Sequence, residues 1–82
     1  MKTVTILLDS IDKVKAFVNI INPFDADFDL VSGRYVIDAK SLLGIFSLDI
    51  MRPISLNIHN SEESMDMILE AISDYIIEDP AE

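Results

Sequence analysis

Eighty-two residues with a mass of 9.2 kDa suit one domain, residues 1–82, built on one core. Half of the residues are hydrophobic and thirteen are isoleucine, which is ample for a packed core and argues against disorder. Six Lys and Arg against fifteen Asp and Glu leave a net charge of −9, so repulsion excludes binding to nucleic acid or to anionic membranes; the absence of cysteine excludes disulfides, thiolate metal sites and cysteine nucleophiles.

Thr3 to Leu8 (TVTILL) is rich in β-branched residues and alternates, with Val4, Ile6 and Leu8 on one face, which predicts a first strand. Asp9 and Ser10 are both N-cap residues, and Ile11, Val14, Phe17, Val18 and Ile21 follow at helical spacing. A helix is expected from about Ile11 to Ile21, ended by Asn22-Pro23. DADFDLV then sets Ala26, Phe28 and Leu30 against Asp25, Asp27 and Asp29, a strand with one dry and one wet face. After a turn signal at Ser32-Gly33, Tyr35, Ile37 and Ala39 alternate with Arg34, Val36 and Asp38, so the pair reads as a β-hairpin.

Ser41 precedes the apolar segment Leu42 to Leu48, too dense for one buried face and expected to be a short helix of about two turns, broken at Arg52-Pro53. Ile54, Leu56 and Ile58 alternate with Ser55, Asn57 and His59 in a fourth strand, and Asn60-Ser61 opens a last helix with Met65, Ile68, Leu69, Ile72 and Ile76 on one face. On its other face Glu62, Asp66, Glu70, Asp74 and Glu78 stand in a ladder of like charges, each step costing roughly 0.2–0.5 kcal/mol. That ladder reads as a solvated face. The order β-α-β-β-α-β-α predicts an α+β open-faced sandwich, a four-stranded antiparallel sheet with three helices on one face. No basic leader and no apolar stretch of membrane-spanning length is visible, so a cytoplasmic protein is expected.

From Phe24 to Ile50, FDADFDLVSGRYVIDAKSLLGIFSLDI resembles the middle of HPr, the histidine-containing phosphocarrier family of the bacterial sugar phosphotransferase system. The most specific piece, Lys40 to Leu48 (KSLLGIFSL), is similar to the family's KS-(I/L)-(M/L)-G-(V/I/L)-(M)-S-L, with Phe46 where methionine is usual. Asp49 and Pro53 stand where the resemblance implies glycines. The resemblance also implies a histidine at the start of the first helix, in G-(I/L)-H-A-R-P-A, which takes the phosphoryl group from enzyme I beside an arginine. Ungapped, the histidine position falls on Ser10, the arginine on Asp12 and the proline on Lys13; if Asp9-Ser10 instead matches the family's DSG and a deletion follows, the motif is missing altogether.

No base stands near Ser10 in sequence to activate its hydroxyl, and Asp9 and Asp12 place negative charge where a phosphoryl group would sit. His59, the sole histidine, is expected on the exposed sheet face with only Ser and Asn neighbours, and Asp27 and Asp29 are expected to have no pocket. No catalytic residue, metal site or cofactor is therefore expected, and the chain is read as no enzyme.

What the resemblance retains is Ser41, matching the regulatory serine modified by HPr kinase/phosphorylase, among Lys40, Leu42, Leu43 and Phe46, which match the family's contact patch for protein partners. The expectation is a regulatory or adaptor protein that binds that kinase or a transcription regulator and is switched at Ser41. The alternatives are a phosphocarrier using Ser10 or His59, and a small α/β ligand-binding module.

Overall fold

Alternation in three segments supplies the inner face of a sheet. β1 (Lys2–Ile6) turns Val4 and Ile6 inward, β2 (Asp27–Ser32) turns Phe28 and Leu30 inward, and β4 (Ile54–His59) does so with Ile54, Leu56 and Ile58; all seven are buried. β3 (Tyr35–Asp38) returns along β2 after the two-residue connection Gly33-Arg34, where Gly33 takes a φ of 59°. A glycine at the first position of such a loop accepts the positive φ that matches the twist of the flanking strands. The structure, a computed structural model, describes residues 1–59 and 64–78.

α1 (Ile11–Ile21) has the expected bounds and is capped by Ser10, whose Oγ accepts the Lys13 N–H at 3.1 Å. It buries Val14, Phe17 and Ile21 against the sheet, while Ile11 is left 59% exposed. α2 (Leu42–Ile45) is one turn rather than two. Beyond it the Ser47 N–H bonds to the Gly44 carbonyl and the Leu48 N–H to that of Ile45, so the chain tightens to three-residue spacing and brings Leu48 into the core. The Asp49 side chain then accepts the Met51 N–H at 3.2 Å, closing by a side-chain turn the bend at which the family resemblance implied a glycine.

The largest departure is at the C-terminal end. α3 (Met65–Ala71) stops short of the expected length, a 3-10 turn follows at Ser73–Tyr75, and Ile76–Glu78 forms a fifth strand, β5. The sheet is therefore five-stranded, in the order β3-β2-β4-β1-β5, and not four-stranded; every pairing in it is antiparallel. Ile76 pairs with Ile6, and the Leu7 N–H donates to the Tyr75 carbonyl at 2.9 Å. Two consecutive β-branched isoleucines suit a strand, and the strand satisfies the edge of β1. Continuing the helix would instead have stacked Glu70, Asp74 and Glu78 near its negative end.

The expected carboxylate ladder is accordingly broken up. Asp66 and Glu70 lie on α3, Asp74 in the 3-10 turn and Glu78 in β5, while Glu62 and the expected helix start at Asn60-Ser61 lie outside the described residues. The three helices cover one face of the sheet, and between them lies one cluster of buried apolar side chains that includes Phe17, Phe28, Ile45, Ile68 and Ile72. Among the described residues no helix is long and apolar enough to cross a membrane.

Candidate functional site

Three places on this frame carry candidate residues. At the start of α1, Asp9 adopts a left-handed conformation with φ 47°, its N–H donates to the Ile50 carbonyl at 3.0 Å, and its carboxylate pairs with Lys13 Nζ at 3.1 Å. The Asp9 to Ile50 bond ties the loop after α2 to the start of α1. Ser10 is half-buried and its Oγ is the helix cap, engaged by a backbone N–H; Asp12 is exposed in the first turn. Two carboxylates, a capping hydroxyl and an ion-paired lysine thus occupy this end of α1. The sole imidazole, on β4, belongs to the sheet face away from the helices, so it cannot serve Ser10 as a base.

The second place is α2. Ser41 is exposed, and its Oγ accepts the Gly44 N–H at 3.2 Å, the cap that its position before an apolar run predicts. Leu43 projects from the turn at 84% exposure and Phe46 at 38%, while Leu42 is half-buried against the core and Ile45 is fully buried. Of the three apolar residues expected as a contact patch, Leu43 and Phe46 are exposed, whereas Leu42 is partly buried against the core. Lys40 is engaged elsewhere. Its Nζ donates to the Phe24 carbonyl at 2.6 Å and stands 5.6 Å from the centre of the Phe28 ring, so its charge is directed at the start of β2.

The third place was not expected. An open depression of about 460 Å³ is lined by Ala26, Asp27, Phe28, Asp29, Asp38, Lys40 and His59. Strand register assembles it: Asp27 lies opposite His59, and Asp29 lies opposite both Asn57 and Asp38. His59 is on the exposed sheet face as expected, but its neighbours are carboxylates as well as Ser and Asn, and its Nε2 is 3.0 Å from Asp29 Oδ2. Both side chains of that pair remain about a third exposed (33% and 38%), so solvent screens it heavily. Beside it the Thr3 hydroxyl donates to Asn57 Oδ1 at 2.7 Å. Alternation alone places Asp27, Asp29 and His59 on outward faces; the missing signal was the β2–β4 register that brings them together. Among the described residues no group of three or more His, Cys, Asp or Glu is arranged to hold a metal ion.

An antiparallel sheet covered on one face by three helices is an α+β open-faced sandwich. The crystal structure of HPr-C-His from Thermoanaerobacter tengcongensis has the same fold: it superposes with a TM-score of 0.74 over 90% of this chain and 89% of that one, at 23% sequence identity. No model of a known family matches the sequence, and neither does any curated protein.

Proposed function

We propose that this chain is an HPr-like regulatory or adaptor protein, without phosphocarrier or enzymatic activity, that binds a protein partner through Leu43 and Phe46 and is switched by phosphorylation of Ser41. The observation that carries the reading is the arrangement at α2: an exposed serine at the cap, with two exposed apolar side chains beyond it on a protein of net charge −9. The start of α1 supports the negative half of the proposal. A phosphoryl group there would face Asp9 and Asp12, and the hydroxyl of Ser10 is occupied as a cap.

Phosphorylation would add about −1.5 to −2 charges beside Leu43 and Phe46 and so change which surfaces the patch accepts. Partners of this chemistry are HPr kinase/phosphorylase itself or a transcription regulator that reads the phosphoserine; nucleic acid and membranes do not fit the charge.

The test combines two phosphate donors. With phosphoenolpyruvate, enzyme I and magnesium the chain is expected to stay unlabelled. With HPr kinase and ATP it is expected to take up phosphate at Ser41 alone, and Ser41→Ala should abolish labelling while costing about 1 kcal/mol through the lost cap. The phosphorylated chain should then bind a catabolite-control regulator in a calorimetric titration, and Leu43→Glu or Phe46→Glu should weaken that binding by roughly 30-fold or more, as expected for a central apolar anchor. Stoichiometric acid-labile phosphate from enzyme I would overturn the non-carrier reading. Failure of the kinase to label Ser41 under conditions that fully label an authentic HPr would reject the switch.

A further inference from the structure

β3 is an edge of the sheet, with β2 on one side of it and no strand among the described residues on the other. Its sequence, Tyr35-Val36-Ile37-Asp38, is short but has no lysine, no proline and no break in register against β2, three of the features that keep sheet edges from pairing. Tyr35 and Val36 are 66% and 65% exposed on it.

The hairpin decides which backbone groups face outward. Across a two-residue connection the flanking residues, Ser32 and Tyr35, are a hydrogen-bonded pair, and so are Leu30 and Ile37 two positions on. Val36 and Asp38 alternate with them, so their backbone groups point away from β2. The Asp38 carbonyl is already used by the Ser41 N–H at 2.9 Å; the N–H and carbonyl of Val36 lie at the middle of the edge.

We propose that this edge pairs with the same edge of a second copy of the chain, antiparallel about a two-fold axis at Val36, joining the two sheets into one. In that register Val36 meets Val36 of the second copy and the two exchange both backbone hydrogen bonds. Tyr35 lies opposite Ile37, and Arg34 lies opposite Asp38, once at each end of the contact. The faces agree as well. Val36 and Asp38 share the outer face with Val31 and Asp29, and Arg34, the last residue of the connection, directly precedes β3 within reach of Asp38 of the second copy. A slip of one residue mismatches the faces, and a slip of two leaves Arg34 or Asp38 opposite Val36 with no charge partner.

Charge is what selects a second copy as the occupant. Two chains of −9 repel one another in general, but this edge carries one cation and one anion spaced so that the strand complements itself, giving an isologous contact.

The experiment is sedimentation of the full chain from micromolar to near-millimolar concentration, with two charge variants. The wild type is expected to dimerise. Arg34→Asp and Asp38→Arg should each weaken self-association at least about tenfold, since each makes both end pairs like-charged. Mixed together, the two variants should form a heterodimer to about the wild-type extent, because both end pairs are then of opposite charge. This mixture also guards against misreading Asp38→Arg, which removes the carboxylate that accepts the Lys40 N–H at 3.0 Å. Hydrogen exchange at the Val36 amide should slow as the dimer forms. A wild type that stays monomeric throughout, including one that pairs only with a foreign peptide strand, would overturn the proposal. So would single variants that dimerise like the wild type, or a mixture that does not associate.

Discussion

Phe17→Ala is expected to remove a large share of the stability of the chain. Phe17 is fully buried in the middle of α1, and truncating such a side chain costs about 3–5 kcal/mol. At roughly 0.05–0.15 kcal/mol per residue, an 82-residue domain has only about 4–12 kcal/mol in total. The loss extends beyond a cavity, because the Phe17 ring meets the Tyr75 ring edge-on with centroids 5.6 Å apart and planes at 84°. Tyr75 ends the 3-10 turn and its carbonyl accepts the Leu7 N–H, so this aromatic contact fixes where β5 joins the sheet. A thermal melt should show a fall of more than about 12 °C. Tyr75→Leu removes the ring pair and leaves Phe17, so it should cost only about 1 kcal/mol while accelerating hydrogen exchange at the Leu7 amide. A Phe17→Ala melt within a few degrees of the wild type would mean that α1 is not the principal cover of the sheet.

That contact also shows where the sequence stopped being legible. Four strands and the first helix follow from period and punctuation: the alternation through Phe28 and Leu30, the glycine of the hairpin and the serines before α1 and α2 are local signals, and local physics decides them. Tyr75 to Glu78 is different. Ile72 and Ile76 are spaced for a helix, and the unsatisfied β1 edge together with Phe17 beneath Tyr75 tips the balance to a strand. Neither is visible in a window of neighbouring residues.

The candidate sites divide in the same way. Ser41 as a cap, with Leu43 and Phe46 too many for one buried face, is a local reading, and the structure places all three at the surface. Lys40 sits in the same segment, yet its amine is taken by a carbonyl sixteen residues earlier in the chain, a contact that no spacing rule encodes. The depression around His59 is likewise a product of register. Asp29 and His59 are thirty residues apart and meet because β2 and β4 are neighbours in the sheet.

Gly44→Ala is expected to destabilise the protein although alanine is the better helix former. A Cβ at this position would lie 2.6 Å from Ile37 Cγ2 and 3.0 Å from Ser41 Oγ. Ile37 is β-branched and held in β3 with little freedom at χ1, so it cannot swing aside; α2 must lift from the sheet instead. Overpacking of this kind costs about 1–3 kcal/mol, against about 1 kcal/mol gained from helix propensity. The same displacement would pull the Gly44 N–H from Ser41 Oγ, so the helix cap is lost together with the packing. A double-mutant cycle isolates the cause. Ile37→Ala removes the methyl that the new Cβ would strike, so in that background Gly44→Ala should cost little, with a coupling of roughly 1 kcal/mol or more. If Gly44→Ala costs the same with and without Ile37, the glycine is not needed for the approach of α2 to β3, and the position of Ser41 must depend on the tight turns that follow at Ser47 and Leu48.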